Sequence, residues 1–268
     1  MDDRLTRMRH SAAHVLATAV LEVFPDAQLG IGPPTDEGFY YDFLLPRALT
    51  PHDLKELESL MEKHKAADYS FEYQEHERSE LLKHFGENGQ PFKVELIDDL
   101  GHDEILSTYT SGPFLDLCRG PHVPSTGKIG VCKLLSIAGA YWRGDEGRPQ
   151  LQRIYGTAFG TQAELDGHLE RLEEAKKRDH RRLGQELDLF FFDDEVGPGL
   201  PMWQPKGTVL IEELEKLAKE TETAAGYDRV RTPHICKESV YHTSGHLPYY
   251  QESMFPPMEL DGTTYYLK

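Results

Sequence analysis

The sequence predicts an α+β chain of two units joined by a helical connector, on three observations. Residues 6–24 carry an unbroken apolar stripe at helical spacing, and short aromatic or β-branched runs parted by Gly/Pro turns follow it. A highly charged stretch from Gln162 to about Leu187 then separates these from a second series of strand, loop, helix and strand. A length of 268 residues exceeds one average domain and fits two units.

In TRMRHSAAHVLATAVLEVF (6–24), Ala12, Val15, Leu16, Ala19, Val20 and Val23 fall on one helical face, and Pro25-Asp26 ends the run. The opposite stripe, His10, His14, Ala17 and Leu21, is not a solvated face, so both sides of this helix are expected to touch protein or a cleft. GIGPPTDEGFYYDF (30–43) reads as a turn leading into an aromatic strand. Thr50-Pro51-His52-Asp53 reads as a helix start, with the helix running to about His64. A polar helix is expected around 76–87, then a short strand at FKVELI (92–97), with further strands near 106–116, 128–137 and 150–158.

From Gln162 to about Leu187 one long helix is expected, in which RLEEAKKRDHRR (171–182) holds six basic and three acidic side chains. Beyond it, FFFDDEVGPGLPMWQPKG (190–207) reads as a strand and a Gly/Pro loop. A helix at about 207–225 follows, striped by Val209, Leu210, Leu214, Leu217 and Ala218, and GYDRVRTPHI (226–235) reads as a strand ending at Pro233. The composition shift at 185–205 marks the expected boundary between units.

Charge and cysteine content narrow the function classes. There are 29 Lys and Arg against 46 Asp and Glu, a net −17, so a generic nucleic-acid coat is excluded, although a local basic patch is not. No apolar run reaches membrane-spanning length and MDDRLTRMRH has no apolar export segment, so no membrane association is expected. Three scattered cysteines, Cys118, Cys132 and Cys236, argue against a disulfide framework and for a reducing cytoplasm.

Two residue pairs carry chemistry. His10 and His14 stand four apart on a helix, so both imidazoles project from one face. Cys118 and His122 in CRGPH are also four apart, on a turn made by Gly120-Pro121. Three imidazoles and a thiol are a donor set for tetrahedral zinc, and the spacing alone does not choose between a metal site and a catalytic one.

HSAAHVLA (10–17), GFYYDF (38–43), DLCRGPHVPSTGKI (116–129), AYWRGD (140–145) and LQRIYGTAF (151–159) resemble the editing domain of bacterial threonyl-tRNA synthetases. EEAKKRDHRRLGQELDLF (173–190) resembles their linker helix, and GYDRVRTPHI with YHTSGHLPYYQESMF resembles motif 1 of the class II core and the segment after it. The resemblance runs nearly end to end, in order. It implies an editing domain over 1–163 in two parts, helices on mixed or antiparallel sheets, with the threonyl/alanyl second additional domain inside it. A linker helix at 164–187 follows, then the N-terminal part of an antiparallel class II catalytic core at 188–268.

By the same resemblance His10, His14, Cys118 and His122 line an editing pocket, joined by Lys93, Asp116 and Tyr41. Its expected reaction is hydrolysis of seryl-tRNA-Thr, with His10 first in line to activate water and Lys93 supplying positive charge. His14, Asp116, Cys118 and His122 would hold the serine and the terminal adenosine, and Tyr41 would stack on or hydrogen-bond the terminal nucleotide. Each has a plainer reading: Lys93 as a surface lysine, Tyr41 as core, Asp116 as a turn residue. Zinc on the quartet is a possible cofactor, as the related alanyl domain suggests. The parent enzyme ligates threonine to tRNA-Thr with ATP, magnesium and a separate catalytic zinc, whose motifs would lie beyond Lys268, so activation of threonine is not expected from this chain alone. The expected partners are the 3′ end of tRNA-Thr and a second copy across motif 1. Arg143, a substrate-binding candidate, makes one basic patch with Arg148 and Arg153, and Lys176, Lys177, Arg178, Arg181 and Arg182 make another. A free-standing zinc-dependent hydrolase and a non-catalytic tRNA-binding module are the competing readings.

Overall fold

The structure, a computed structural model, describes residues 3–101 and 104–267. The fold is α+β, and the chain divides into two compact units, Met1–Lys177 and Arg178–Lys268. In the first unit the order is α1 (Asp3–Val23), β1 (Gln28–Leu29), β2 (Phe39–Leu44), α2 (Pro51–Ala66), β3 (Glu72–His76), α3 (Arg78–Glu87), α4 (Pro91–Asp99), β4 (Leu106–Ser111), β5 (Phe114–Leu117), β6 (Val131–Tyr141), β7 (Gln150–Phe159) and α5 (Gln162–Lys177). Two sheets result, β1-β2-β7-β6 and β3-β4-β5, and every pairing in them is antiparallel.

The middle of α1 is buried on all sides, as its two apolar stripes require: Ala12 through Val20 are enclosed without a break. One stripe packs with Phe39, Tyr41, Phe43 and Ile154 of the larger sheet and with Leu57 and Met61 of α2. α2 starts at a capping box in which Asp53 accepts from the Thr50 backbone and hydroxyl, at 2.6 and 2.7 Å. The strands expected near 106–116, 128–137 and 150–158 are present as β4–β5, β6 and β7.

Three expectations fail. FKVELI is not a strand but most of α4, whose start is set by Pro91 in the first turn. The helical turn lets it bury two faces at once: Phe92 and Leu96 against Trp142 and Leu151, Val94 and Ile97 against Leu81, Phe85 and Leu106. The long charged helix breaks after Lys177, because Asp179 caps a new helix, α6 (His180–Glu186), by accepting from the Arg181 backbone N–H. Residues 226–234 form no strand; pairing begins only past Pro233, which has no N–H to give a ladder.

The second unit continues with β8 (Phe190–Phe191), β9 (Met202–Trp203), α7 (Pro205–Ala224), β10 (Ile235–Lys237), α8 (Glu238–Thr243), β11 (Met258–Leu260) and β12 (Thr263–Leu267). β10-β12-β11 is one antiparallel sheet over a small core of Tyr241, Leu247 and Tyr266. The predicted stripe of α7 is solvent-facing, with Val209, Leu210, Leu214 and Leu217 all exposed. No described helix is long and apolar enough to cross a membrane.

Candidate active site

Four elements of the first unit deliver the candidate residues to one place. α1 carries His10 and His14, β2 carries Tyr41, α4 carries Lys93, and β5 with the turn after it carries Asp116, Cys118 and His122. The two distant pairs converge: His10, His14, Cys118 and His122 each offer a donor atom, and these four atoms lie within 4.8 Å of one another. The rings of His10 and His122 stack at 4.2 Å, and His14 meets His122 edge-on at 4.3 Å.

The turn that presents Cys118 and His122 depends on glycine. Gly120 has φ +69°, and a Cβ there would come within 2.6 Å of the Tyr109 hydroxyl. Its N–H donates to Cys118 Sγ at 3.2 Å. Ser107 holds the Cys118 carbonyl at 2.8 Å and so ties the turn to β4.

Hydrogen-bond arithmetic fixes the tautomers. The one Ser11 hydroxyl hydrogen goes to the Arg7 carbonyl, at 2.8 Å. The Ser11 oxygen therefore accepts from the Val123 N–H and from His122 Nδ1, both at 3.0 Å. His10 Nδ1 faces the Pro121 carbonyl at 3.3 Å, which can only accept. In both neutral rings the proton is thus on Nδ1, and both bare Nε2 lone pairs aim at Cys118 Sγ, at 3.3 Å from His10 and 3.2 Å from His122. One thiol proton can satisfy only one of them.

Burial keeps this cluster uncharged. It lowers the pKa of His10, against the pull of the Pro121 carbonyl and Asp116. It holds His14 well below the usual imidazole range, helped by the charges of His10 and Lys93, and it depresses His122, helped by His14 and His10. The same burial pushes the Cys118 thiol up to about 12.

Beside the cluster lies a buried ion pair. Lys93 Nζ is 2.5 Å from Asp116 Oδ1, and both side chains are enclosed. The Tyr41 hydroxyl donates to Asp116 Oδ2 at 2.6 Å and accepts from Lys93 at 3.2 Å. Asp116 also stands 3.9 Å from His14 Nε2, so it links the two groups. Burial first, and then the Asp116 charge, raises the Tyr41 pKa well above its ordinary value. The Tyr41 ring is wholly enclosed and stacks on Phe43 at 4.8 Å.

Arg143 is not brought to this group. Its guanidinium pairs with Asp99 and, at 2.9 Å, with Glu95. Arg148 pairs with the same Glu95, and Arg153 forks onto Asp42 at 2.7 and 2.8 Å. In the other expected patch Lys176, Lys177, Arg181 and Arg182 are tied to Glu173, Glu174, Asp179 and Glu186. Sequence reasoning missed Ser11, Tyr109, the Pro121 carbonyl and Phe71, whose ring lies flat on His122 at 4.7 Å; Ser11 sits inside the His10–His14 turn, but no spacing marks the other three.

The donor set fits zinc on two structural grounds. Zinc–nitrogen and zinc–sulfur bonds of about 2.0–2.3 Å place tetrahedral ligands roughly 3.3–3.7 Å apart, and the two sulfur–nitrogen separations come close to that, at 3.2 and 3.3 Å. In addition, His14 Nδ1 is buried with no hydrogen-bond partner among the described residues. Ring nitrogens held on the far side by Pro121 and Ser11 are the usual support of metal-bound histidine.

Residues 106–155 match the family described as the threonyl and alanyl tRNA synthetase second additional domain, a span that holds Asp116, Cys118 and His122. The chain is 53% identical over 97% of its length to a threonine–tRNA ligase of Dehalococcoides mccartyi, covering 44% of that protein. It is 48% identical over its full length to threonine–tRNA ligase 1 of Bacillus subtilis, covering 42%. A solved RNA binding domain of threonyl-tRNA synthetase from Cryptosporidium parvum is 37% identical over 34% of this chain and 22% of that one, with a TM-score of 0.32. The chain spans less than half the length of the curated relatives it matches. With about half of its residues identical along almost its whole length, the chain matches a segment of the threonyl-tRNA synthetases.

Proposed function

We propose that the first unit is an aminoacyl-ester hydrolase that removes serine wrongly attached to tRNA-Thr. The observation that carries the reading is the convergence of His10, His14, Cys118 and His122 on one spot next to the buried Lys93–Asp116 pair. The need for such a site follows from size. Serine lacks one methyl of threonine, worth only about 1–3 kcal/mol of discrimination in a binding pocket, and it keeps the hydroxyl by which threonine is told from valine. A second pocket that admits the smaller group and excludes the larger restores accuracy.

In the proposed reaction, water attacks the ester carbonyl carbon and the bond from that carbon to the ribose oxygen breaks. His10 takes the proton from the attacking water on its bare Nε2 and returns one to the departing ribose oxygen, leaving free serine and a free ribose hydroxyl. His10 suits this role because it is neutral, half-buried and the most open of the three imidazoles. Lys93, fixed by Asp116 and Tyr41, supplies positive charge for the negative charge developing on the carbonyl oxygen. His14, Cys118 and His122 enclose the seryl group.

The orphaned His14 nitrogen and the two lone pairs facing one sulfur favour a second reading, in which zinc sits on the quartet. Bound zinc would supply Lewis acidity, and its binding must release the Cys118 proton. Metal analysis separates the readings: zinc at one equivalent, with a rise in melting temperature on reloading, supports the metal form.

For the longer protein we propose ATP-dependent threonylation of tRNA-Thr in the cytoplasm. The second unit would be the beginning of a class II catalytic core, and the exposed stripe of α7 would be its dimer face. The decisive assay compares deacylation of Ser-tRNA and Thr-tRNA by this chain. Preferential release of serine is expected; no release, or equal release of both, overturns the reading.

A further inference from the structure

We infer that Gln90 is a positioning residue for the hydrolysis: its side-chain amide clamps the first turn of α4 to the larger sheet and thereby aims the Lys93 ammonium. The inference rests on the hydrolase reading and extends it to a residue outside the catalytic cluster. Gln90 is the N-cap of α4, yet its side chain makes no cap hydrogen bond. It is buried and turned to the sheet instead. Gln90 Oε1 accepts from the Leu29 N–H at 2.7 Å, and Nε2 donates to the Ala27 carbonyl at 2.9 Å. β1 is an edge strand, so the amide takes the place of a further strand along that edge.

The same residue holds the start of the helix. The Gln90 carbonyl accepts the first helical bonds, from the Lys93 N–H at 3.1 Å and the Val94 N–H at 3.2 Å. Pro91 has no N–H with which to add an anchor. The backbone of Lys93 is thus tied through one side chain to the sheet whose next strand, β2, carries Tyr41. The other polar anchors of α4 act further along it: Glu95 accepts from Trp142 and Arg148, and Arg78 caps the Ile97 and Leu100 carbonyls.

Aim matters because the ammonium is enclosed and has three protons. Asp116 at 2.5 Å and the Tyr41 hydroxyl at 3.2 Å account for two of them, which leaves one direction for the carbonyl oxygen of the ester. A shift of about 1 Å in such a group can cost about 10²-fold in rate. The fold also supplies a matched control. Gln152 of β7 makes an equivalent clamp, accepting from the Leu49 N–H at 2.7 Å and donating to the Arg47 carbonyl at 2.8 Å. It ties down the chain entering α2, a helix that carries no residue of the candidate site.

The test compares Gln90→Ala with Gln152→Ala in the whole chain, below the melting temperature of both. Each variant should melt earlier than the wild type. Only Gln90→Ala should lower kcat for Ser-tRNA, by about tenfold or more, with KM unchanged to within about twofold, because the lost interaction forms in the transition state. The 15N resonance of Lys93 Nζ should move or broaden in Gln90→Ala and stay in place in Gln152→Ala. Gln90→Glu, which keeps the acceptor for Leu29 and the side-chain length, should recover part of the rate. If Gln90→Ala does not fold, Gln90→Glu carries the test, with a lowered kcat and an unmoved KM expected. A wild-type kcat in the Gln90 variants overturns the inference, and so does an equal loss of kcat in Gln152→Ala. Should the wild-type chain release no serine from Ser-tRNA, the hydrolase reading fails instead. The Lys93 resonance then decides the positioning role by itself, and an unmoved signal in the Gln90 variants overturns it.

Discussion

Because the Ser11 hydroxyl orients His122, its removal should be visible at His122 rather than at Ser11. In Ser11→Ala the Val123 N–H and His122 Nδ1 both lose their acceptor. A stability loss of about 1–3 kcal/mol is expected for each buried group left unpaired. The 15N chemical shifts of His122 should move from the Nδ1–H tautomer toward a mixture, and unchanged shifts would contradict the assignment. His10→Ala should lower Ser-tRNA hydrolysis by about 10²-fold or more if His10 is the base, with RNA affinity retained. The buried histidines also set a pH dependence of folding. Their folded pKa values lie below 6.5, so the unfolded chain takes up protons first as pH falls. Stability should therefore be complete above about pH 6.5 and decline below it, by up to about 1.4 kcal/mol per pH unit for each histidine. Cys118, raised from 9.0 to about 12, acts in the opposite sense: stability should also fall above about pH 9, where only the unfolded thiol ionises. Urea midpoints across pH would read both limbs.

Among the elements, α4 and the turn after β5 determine the site. Lys93→Ala leaves the Asp116 charge buried without its cation, which should cost about 3–5 kcal/mol; Lys93→Met with Asp116→Asn should recover much of the stability and none of the hydrolysis. Gly120→Ala forces a side chain into both a left-handed backbone and the Tyr109 ring. A loss of about 1–3 kcal/mol is expected, read by thermal melting. These two elements also show where sequence legibility ends. The helical stripe of α1 and the turn chemistry of 30–43 are local signals, and both appear in the fold. The identity of 92–97 was not local: Val94 and Ile97 have the chemistry of a strand, and burial of the segment against two separate clusters, Val94 and Ile97 on one and Phe92 and Leu96 on the other, makes it helical. The convergence of the two histidine and cysteine pairs was expected through the family likeness. Phe71 and Tyr109 were not, because they come from different segments with no shared period.

At the scale of the whole molecule the two units differ in how much they bury. The first wraps α1 in a continuous core, whereas the buried cluster of the second consists of Tyr241, Leu247 and Tyr266. Amide hydrogen exchange should accordingly be faster across α7 and β10–β12 than across α1, β2 and β7; equal protection would contradict this. Composition foretold the acidic balance and the apolar material, but not which cations are paired. That depends on which arginines find a carboxylate, as Arg143, Arg148 and Arg153 do.

Those occupied arginines have a consequence for encounter. A polyanion approaching the first unit meets cations already cancelled at Arg143, Arg148 and Arg153, in a chain whose net charge is −17. Contact with a polyanion through this face would have to displace Glu95, Asp99 or Asp42 from its arginine first.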